Sequence, residues 1–166
     1  MVSPFIEISP FAKISPLADL EASIRGTKII IGEHSFIDSF VKIKPAGGGG
    51  DIIIGRNSYI NSGCVLYSGN GIIIGDYVSI AANCTLAPVN HEYVSKNLLI
   101  QHQGFRRGKG GIVIEDDVWI GANSVLLDGA HLRKGCVIGA MSVVRGEVAP
   151  YSINAGNPLR LIGDRR

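Results

Sequence analysis

The sequence predicts an all-β fold of about six stacked triangular coils, and three regularities of the chain support that prediction. A large aliphatic residue returns every six positions, a small residue follows it four positions later, and 22 glycines accompany a high isoleucine content. A period of six fits neither the 3.6-residue repeat of a helix nor the two-residue alternation of an extended strand. It fits a chain that turns a corner every six residues, so that three segments close one coil.

The large position of the repeat is aliphatic at all eighteen places where the repeat can be followed. Its members are Ile8, Ile14, Leu20, Ile31, Ile37, Ile43, Ile54, Ile60, Leu66, Ile74, Ile80, Leu86, Ile114, Ile120, Leu126, Leu132, Ile138 and Val144. Stacked coils align these side chains in the interior, where each buried aliphatic contributes about 1.5–3 kcal/mol to stability. Six coils at the usual strand spacing of about 4.8 Å give a prism roughly 29 Å long.

Fifteen of the eighteen small positions hold Ala, Ser, Gly, Cys or Val, and we expect these residues to let the backbone turn at each corner. The three cysteines of the chain, Cys64, Cys84 and Cys136, all lie at this position and form no CxxC pair. We interpret them as reduced, small packing residues, since a free cysteine often behaves as a small buried hydrophobe. A catalytic or metal-binding role is the weaker alternative.

One long insertion interrupts the repeat. Twenty-two residues, 92–113, separate the fourth coil from the fifth, and long excursions in compact domains are usually functional or disordered. No run of about eighteen apolar residues predicts a membrane span. Residues 1–11 lack the basic start and apolar stretch of a secretory signal, so we expect a cytoplasmic protein. A net charge of +2 is too small to indicate nucleic-acid binding.

With these hexapeptides, the chain resembles the left-handed parallel β-helix acyltransferases over residues 8–166. The segments that carry the resemblance further are YINSGCV at 59–65, DDVWIGANS at 116–124, IGAMSVV at 138–144 and PYSINAGNPLRLI at 150–162. Segment 90–104, with its HEY and QHQG, is similar to polysaccharide and lipopolysaccharide O-acetyltransferases. The resemblance implies a single hexapeptide-repeat domain, 1–166, with a protruding loop at 92–113 and a C-terminal tail at 150–166.

The same resemblance implies a homotrimer that transfers an acetyl group from acetyl-CoA to a hydroxyl of a small-molecule or oligosaccharide acceptor, between subunits and without a metal. A neutral hydroxyl needs a base, and histidine titrates close to neutral pH. The resemblance places this base at His91, where the loop leaves its coil, and places Asn61 and Glu92 on the acceptor. An ordinary surface histidine, an asparagine ladder on a corner and a solvated glutamate are the respective alternatives.

The resemblance also implies that the coenzyme lies along the C-terminal coils. Backbone amides at Ala122 and Ala140 are expected to receive the pantetheine arm, and Arg145 and Arg160 the nucleotide end. Trp119, the only tryptophan, faces outward by the six-residue rule; we expect it beside the cofactor, with packing at an interface as the alternative. Further basic candidates for the phosphates are Arg106, Arg107, Lys109, Arg133 and Lys134. Solvated surface charge is the usual role of such clusters.

Three other functions stay open at the level of sequence. An N-acetyltransferase acting on an amino sugar or a nucleotide-linked amino sugar is the nearest. A zinc carbonic anhydrase on the same prism needs three converging histidines, two of them close in the chain. The four histidines, at 34, 91, 102 and 131, offer no short pair. A non-catalytic scaffold is disfavoured by the long loop and by the segments that resemble cofactor-binding coils.

Overall fold

The computed structural model describes residues 4–166; residues 1–3, with which the expected 1–166 domain begins, lie outside the described part. The chain winds through six coils of three strands each, and a seventh turn begins after them. In chain order the strands of the six coils are β1 (Ile6–Ile8), β2 (Lys13–Ile14), β3 (Asp19–Leu20); β4 (Ile29–Ile31), β5 (Phe36–Ile37), β6 (Lys42–Lys44); β7 (Ile52–Ile54), β8 (Tyr59–Ile60), β9 (Val65–Tyr67); β10 (Ile72–Ile74), β11 (Ser79–Ile80), β12 (Thr85–Ala87); β13 (Ile112–Ile114), β14 (Trp119–Ile120), β15 (Val125–Leu127); β16 (His131–Leu132), β17 (Val137–Ile138) and β18 (Val143–Val144). The seventh turn contains β19 (Glu147–Val148), β20 (Ser152–Ala155) and β21 (Arg160–Asp164).

Equivalent strands of successive coils pair in parallel and form the three faces of the prism. Sheet A has the order β1-β4-β7-β10-β13-β16-β19, sheet B the order β2-β5-β8-β11-β14-β17-β20-β21, and sheet C contains β3, β6, β9, β12, β15 and β18. Each coil therefore passes an A/B corner, a B/C corner and a C/A corner, and the last of these leads to the next coil. The predicted triangular coils are confirmed.

The predicted interior residues form the core. The fifteen that run from Ile31 to Val144 are each at most 1% exposed. The three in the first coil, Ile8, Ile14 and Leu20, are more exposed. The reason is their position, because β1, β2 and β3 are edge strands and lack a coil on one side.

The corners turn at a different residue from the one we expected. At the A/B and B/C corners of coils 2 to 6, the residue just before the small inward position adopts a left-handed conformation, with φ of 54–62° at its non-glycine members, among them His34, Phe40 and Met141. The small residue itself packs inside the prism, as Ser35 and Cys64 do at 0% exposure. The small position is therefore set by interior space, and the preceding residue makes the turn. Asn is common there because it tolerates this conformation.

The insertion leaves the prism at the C/A corner between coils 4 and 5. Its two arms meet in a short antiparallel bridge between His91 and Phe105. The 3₁₀ turn Ile100–His102 is the one helix within residues 4–166, and a turn of three residues is too short to cross a membrane. At the other end of the chain, the C-terminal tail extends sheet B through β20, on which β21 folds back antiparallel.

Candidate active site

His91 stands at the foot of the loop with its side chain exposed. The backbone bridge to Phe105 brings the two rings together, with centroids 4.7 Å apart at 38°. Within residues 4–166, no side chain or backbone group forms a hydrogen bond with the imidazole nitrogens. The ring is thus oriented by packing on one face, while both nitrogens stay available to a ligand or a second subunit.

Glu92 forms no hydrogen bond with this imidazole and pairs within the loop instead. Its Oε1 accepts hydrogen bonds from the backbone amides of Tyr93 (2.9 Å) and Val94 (3.2 Å), and its Oε2 lies 3.6 Å from Nε of Arg106. The two backbone bonds, with a smaller contribution from the guanidinium, lower the pKa of the Glu92 carboxyl. Glu92 therefore organises the two arms of the loop, and it lines a cavity together with Arg106.

A cavity of about 610 Å³ lies between the base of the loop and coils 5 and 6. The residues that line it are Asn90, Glu92, Tyr93, Arg106, Arg107, Lys109, Leu127, Asp128 and Arg145. Four cationic side chains face two carboxylates, and within residues 4–166 only Arg106 of the four forms an ion pair. This excess of unpaired positive charge suits a phosphate-bearing ligand. Arg145 is the predicted cofactor residue that lies here.

Asp128 holds the returning arm of the loop, a role that no motif in the sequence indicates. The carboxylate is 7% exposed. Its Oδ2 accepts a hydrogen bond from the amide of Lys109 at 2.7 Å, and its Oδ1 accepts one from the amide of Gly111 at 2.9 Å. The cationic arm of the cavity is thereby fixed to coil 5. The partners lie 19 and 17 residues earlier in the chain, so only the folded structure relates them to Asp128.

The B/C corner offers a second set of free groups. Within residues 4–166, the amide N–H groups of Ala122 and Ala140 have no hydrogen-bond acceptor. At the A/B corner several of the equivalent amides are capped, since those of Arg56 and Asp76 donate to Oδ1 of Asp76 (2.6 Å) and Asp116 (2.9 Å). An unpaired backbone N–H is a strong donor without a partner. The B/C corner can therefore bind a ligand rich in carbonyl oxygens, as the pantetheine arm is.

Asn61 lies at the same B/C corner, on coil 3. Its Nδ2 donates to the carbonyl oxygen of Ile80 on the next coil at 2.7 Å, which is the contact expected of a corner asparagine. His91 lies at the C/A corner, at the other end of the strands of sheet C. Six extended residues span roughly 20 Å, so the width of one face of the prism separates the two corners. One chain therefore does not place Asn61 or the free amides beside His91.

Comparisons with known proteins identify the family and the fold of the chain. A family model described as "Bacterial transferase hexapeptide (six repeats)" matches residues 111–146. Galactoside O-acetyltransferase of Escherichia coli strain K12 is 32% identical over 146 residues, which cover 86% of this chain and 66% of that protein. The chain belongs to the hexapeptide-repeat transferase family. It spans 37%, 66% and 55% of the length of the first three curated relatives that it matches.

Solved structures of hexapeptide-repeat transferases share the fold. A variant of AntD, an N-acyltransferase from Bacillus cereus in complex with dTDP and coenzyme A, superposes with a TM-score of 0.79 at 24% identity, covering 96% of this chain and 84% of that one. A hexapeptide transferase family protein from Anaplasma phagocytophilum gives a TM-score of 0.73 at 17% identity, with coverages of 97% and 80%. The left-handed parallel β-helix is thus confirmed as the fold.

In this member of the hexapeptide-repeat family the predicted cofactor residues divide into two groups. Arg145 belongs to the cavity at the C/A corner. Ala122 and Ala140 lie at the B/C corner, and Trp119 and Arg160 lie on strands of sheet B. Trp119 points outward as predicted and is 53% exposed. Within residues 4–166, Arg160 is exposed and forms no ion pair.

Proposed function

We propose that the chain transfers an acetyl group from acetyl-CoA to a hydroxyl of a saccharide, with His91 as the general base. The observation that carries the proposal is the exposed imidazole, without a hydrogen-bond partner within residues 4–166, whose chain neighbours Asn90 and Glu92 line a cavity rich in unpaired cations. Histidine is the residue most often used as a general base, and the cations of Arg107, Lys109 and Arg145 suit the phosphates of the coenzyme.

The proposed reaction transfers one proton and replaces the carbon–sulfur bond of the thioester with a carbon–oxygen bond. The imidazole of His91 accepts the proton of the acceptor hydroxyl while its oxygen attacks the thioester carbonyl carbon. The carbon–sulfur bond then breaks, and the thiolate of the coenzyme receives the proton from the imidazolium. Such a base contributes typically about 10² to 10⁴ in rate. Asn61 and Glu92 are the proposed contacts to the acceptor.

A homotrimer completes the proposed site. The free amides of Ala122 and Ala140 lie at the B/C corner, and the imidazole of His91 lies at the C/A corner. These corners are at opposite ends of the strands of sheet C. When one prism places its B/C corner against the C/A corner of the next, the amides of one subunit meet the histidine of its neighbour. In a closed ring of three subunits, every B/C corner contacts one C/A corner and every C/A corner contacts one B/C corner. Trp119 and Arg160 would then contact the coenzyme from the subunit that contributes the amides of Ala122 and Ala140.

O-acetylation is the first choice and N-acylation of an amino sugar the second. The first is favoured by the 32% identity to galactoside O-acetyltransferase over most of the chain. The second is suggested by the overall similarity to AntD, an N-acyltransferase, although 24% identity concerns the fold alone. Parallel assays with galactosides and with amino sugars distinguish the two functions.

The test is free-thiol release from acetyl-CoA by His91→Ala. We expect kcat to fall by about 10² to 10⁴ without a change in oligomeric state, because the ring contributes only its contact with Phe105 to the fold. His102→Ala is the matched control, since it removes another exposed histidine of the same loop, from the 3₁₀ turn Ile100–His102. Full turnover by His91→Ala would exclude His91 as the base, and failure of the parent protein to bind millimolar acetyl-CoA would favour the scaffold instead.

A further inference from the structure

A second cavity lies far from His91, on the first three coils, where the A/B corner meets sheet B. Its volume is about 420 Å³. The residues that line it are Phe11, Lys13, His34, Phe36, Asn57 and Tyr59. They come from equivalent positions of coils 1 to 3, where Lys13, Phe36 and Tyr59 are in register on sheet B. The parallel stacking of the coils, rather than a continuous motif, creates this aromatic cleft.

Aromatic rings form much of the lining of the cleft. Phe36 and Tyr59 meet edge to face with centroids 6.4 Å apart, and Phe11 lies 5.5 Å from the ring of His34 at 31°. Phe11 is 60% and Tyr59 49% exposed, so that much of their apolar surface faces solvent. Rings that are partly stacked and still exposed offer a rigid apolar platform to a ligand.

Polar groups without partners surround this platform. Within residues 4–166, the side chains of Lys13, His34 and Asn57 and the hydroxyl of Tyr59 form no hydrogen bond or ion pair. The other lysines of this part of the chain are all paired, in Lys28–Glu7, Lys42–Asp19 and Lys44–Glu21. Lys13 thus differs from these lysines, because it lines the aromatic cleft and its ammonium has no carboxylate partner within residues 4–166.

We propose that the aromatic cleft binds a saccharide. A pyranose ring has a face of C–H groups that packs on an aromatic ring, and a rim of hydroxyls that can pair with the side chains of Lys13, His34 and Asn57. A purely apolar ligand would leave these polar groups without partners, and a cationic ligand would meet the ammonium of Lys13. The choice of a saccharide as the occupant rests on the proposed function, in which the acceptor is a saccharide.

The aromatic cleft stays accessible in the proposed trimer. The subunit contacts proposed above use the B/C and C/A corners, so the A/B corner points away from the neighbouring chains. A saccharide bound there is distant from the reacting hydroxyl. The cleft therefore anchors a distal part of a long acceptor and takes no part in the acetyl transfer itself.

The test is saturation-transfer NMR without acetyl-CoA, using galactotetraose and chitotetraose as probes. We expect at least one of them to bind the parent protein, and binding to weaken about tenfold or more in Phe36→Ala and Tyr59→Ala. Tyr77→Ala is the matched control, because it removes an exposed aromatic ring of the A/B corner of coil 4 outside the cleft. Thiol release with a monosaccharide acceptor is expected to be unchanged in Tyr59→Ala.

Three results would overturn the proposal. They are the absence of binding by either tetrasaccharide, unchanged affinity in both ring variants, and dissociation of the oligomer by Tyr59→Ala in sedimentation, which would make the cleft a subunit interface. Because the coenzyme is left out, these results do not depend on catalysis. A fully active His91→Ala would refute the proposed base and leave the saccharide measurement standing.

Discussion

Replacing Asp128 by alanine removes the two hydrogen bonds that hold the returning arm of the loop on coil 5. The bonds run to the amides of Lys109 and Gly111 at 2.7 and 2.9 Å, and the carboxylate is 7% exposed. A hydrogen bond to a charged group contributes about 1.5–3 kcal/mol. Loss of both is therefore expected to lower the free energy of opening this arm by about 3 kcal/mol or more.

Native-state hydrogen exchange measures this opening directly. Since about 1.4 kcal/mol corresponds to a factor of ten, the protection of the Gly111 amide is expected to fall about a hundredfold or more in Asp128→Ala. Asp128→Asn keeps one acceptor oxygen and is expected to lie between the two. The amide of Ile112, which donates to the carbonyl of Gly71 at 2.9 Å, serves as an internal reference.

A matched control is Asp164→Ala, which removes an exposed carboxylate whose side chain has no partner within residues 4–166. Protection of Gly111 should be unchanged in that variant. If Asp128→Ala also leaves the Gly111 amide fully protected, the carboxylate does not fix the loop and the reasoning fails. Where the arm does open, the KM for acetyl-CoA is expected to rise, because Arg107 and Lys109 lose their positions beside the cavity.

Two further predictions concern the prism itself. Phe40 adopts φ of 62°, and the residue is 69% exposed. Phe40→Asn is expected to raise the free energy of unfolding in urea by about 0.5–1 kcal/mol, because asparagine tolerates this conformation. An equal gain in Phe40→Ala would refute that cause. Burial raises the pKa of Cys136 from 9.0 to about 11, so its thiolate fraction at pH 8 is about a hundredfold below that of a free thiol. A thiol reagent is therefore expected to modify Cys136 only after unfolding. Rapid labelling of Cys136 in the native protein would contradict its role as a buried packing residue.

The coils could be predicted from the sequence because each depends on a local rule that is repeated. An aliphatic residue every six positions can bury its side chain only if the chain bends at that interval, and Ile60 or Leu126 meets the same requirement in every coil. The corners were understood less well. Interior space and backbone turning impose separate demands on adjacent residues, and the sequence alone did not separate Ser35 from the turning residue His34.

What the sequence determined by itself is the prism, its interior and the position of His91 at the foot of the insertion, since all three follow from the repeat and from where it breaks. Only the tertiary structure decided that Asp128 holds Lys109 and Gly111 and that Arg145 shares a cavity with the loop. It also decided that Ala122 and Ala140 lie across sheet C from His91, at the B/C corner. The loop has no period of its own, so its contacts depend on residues far away in the chain. Stacking likewise brings into contact side chains that are about twenty residues apart, and no local pattern records which of them become neighbours.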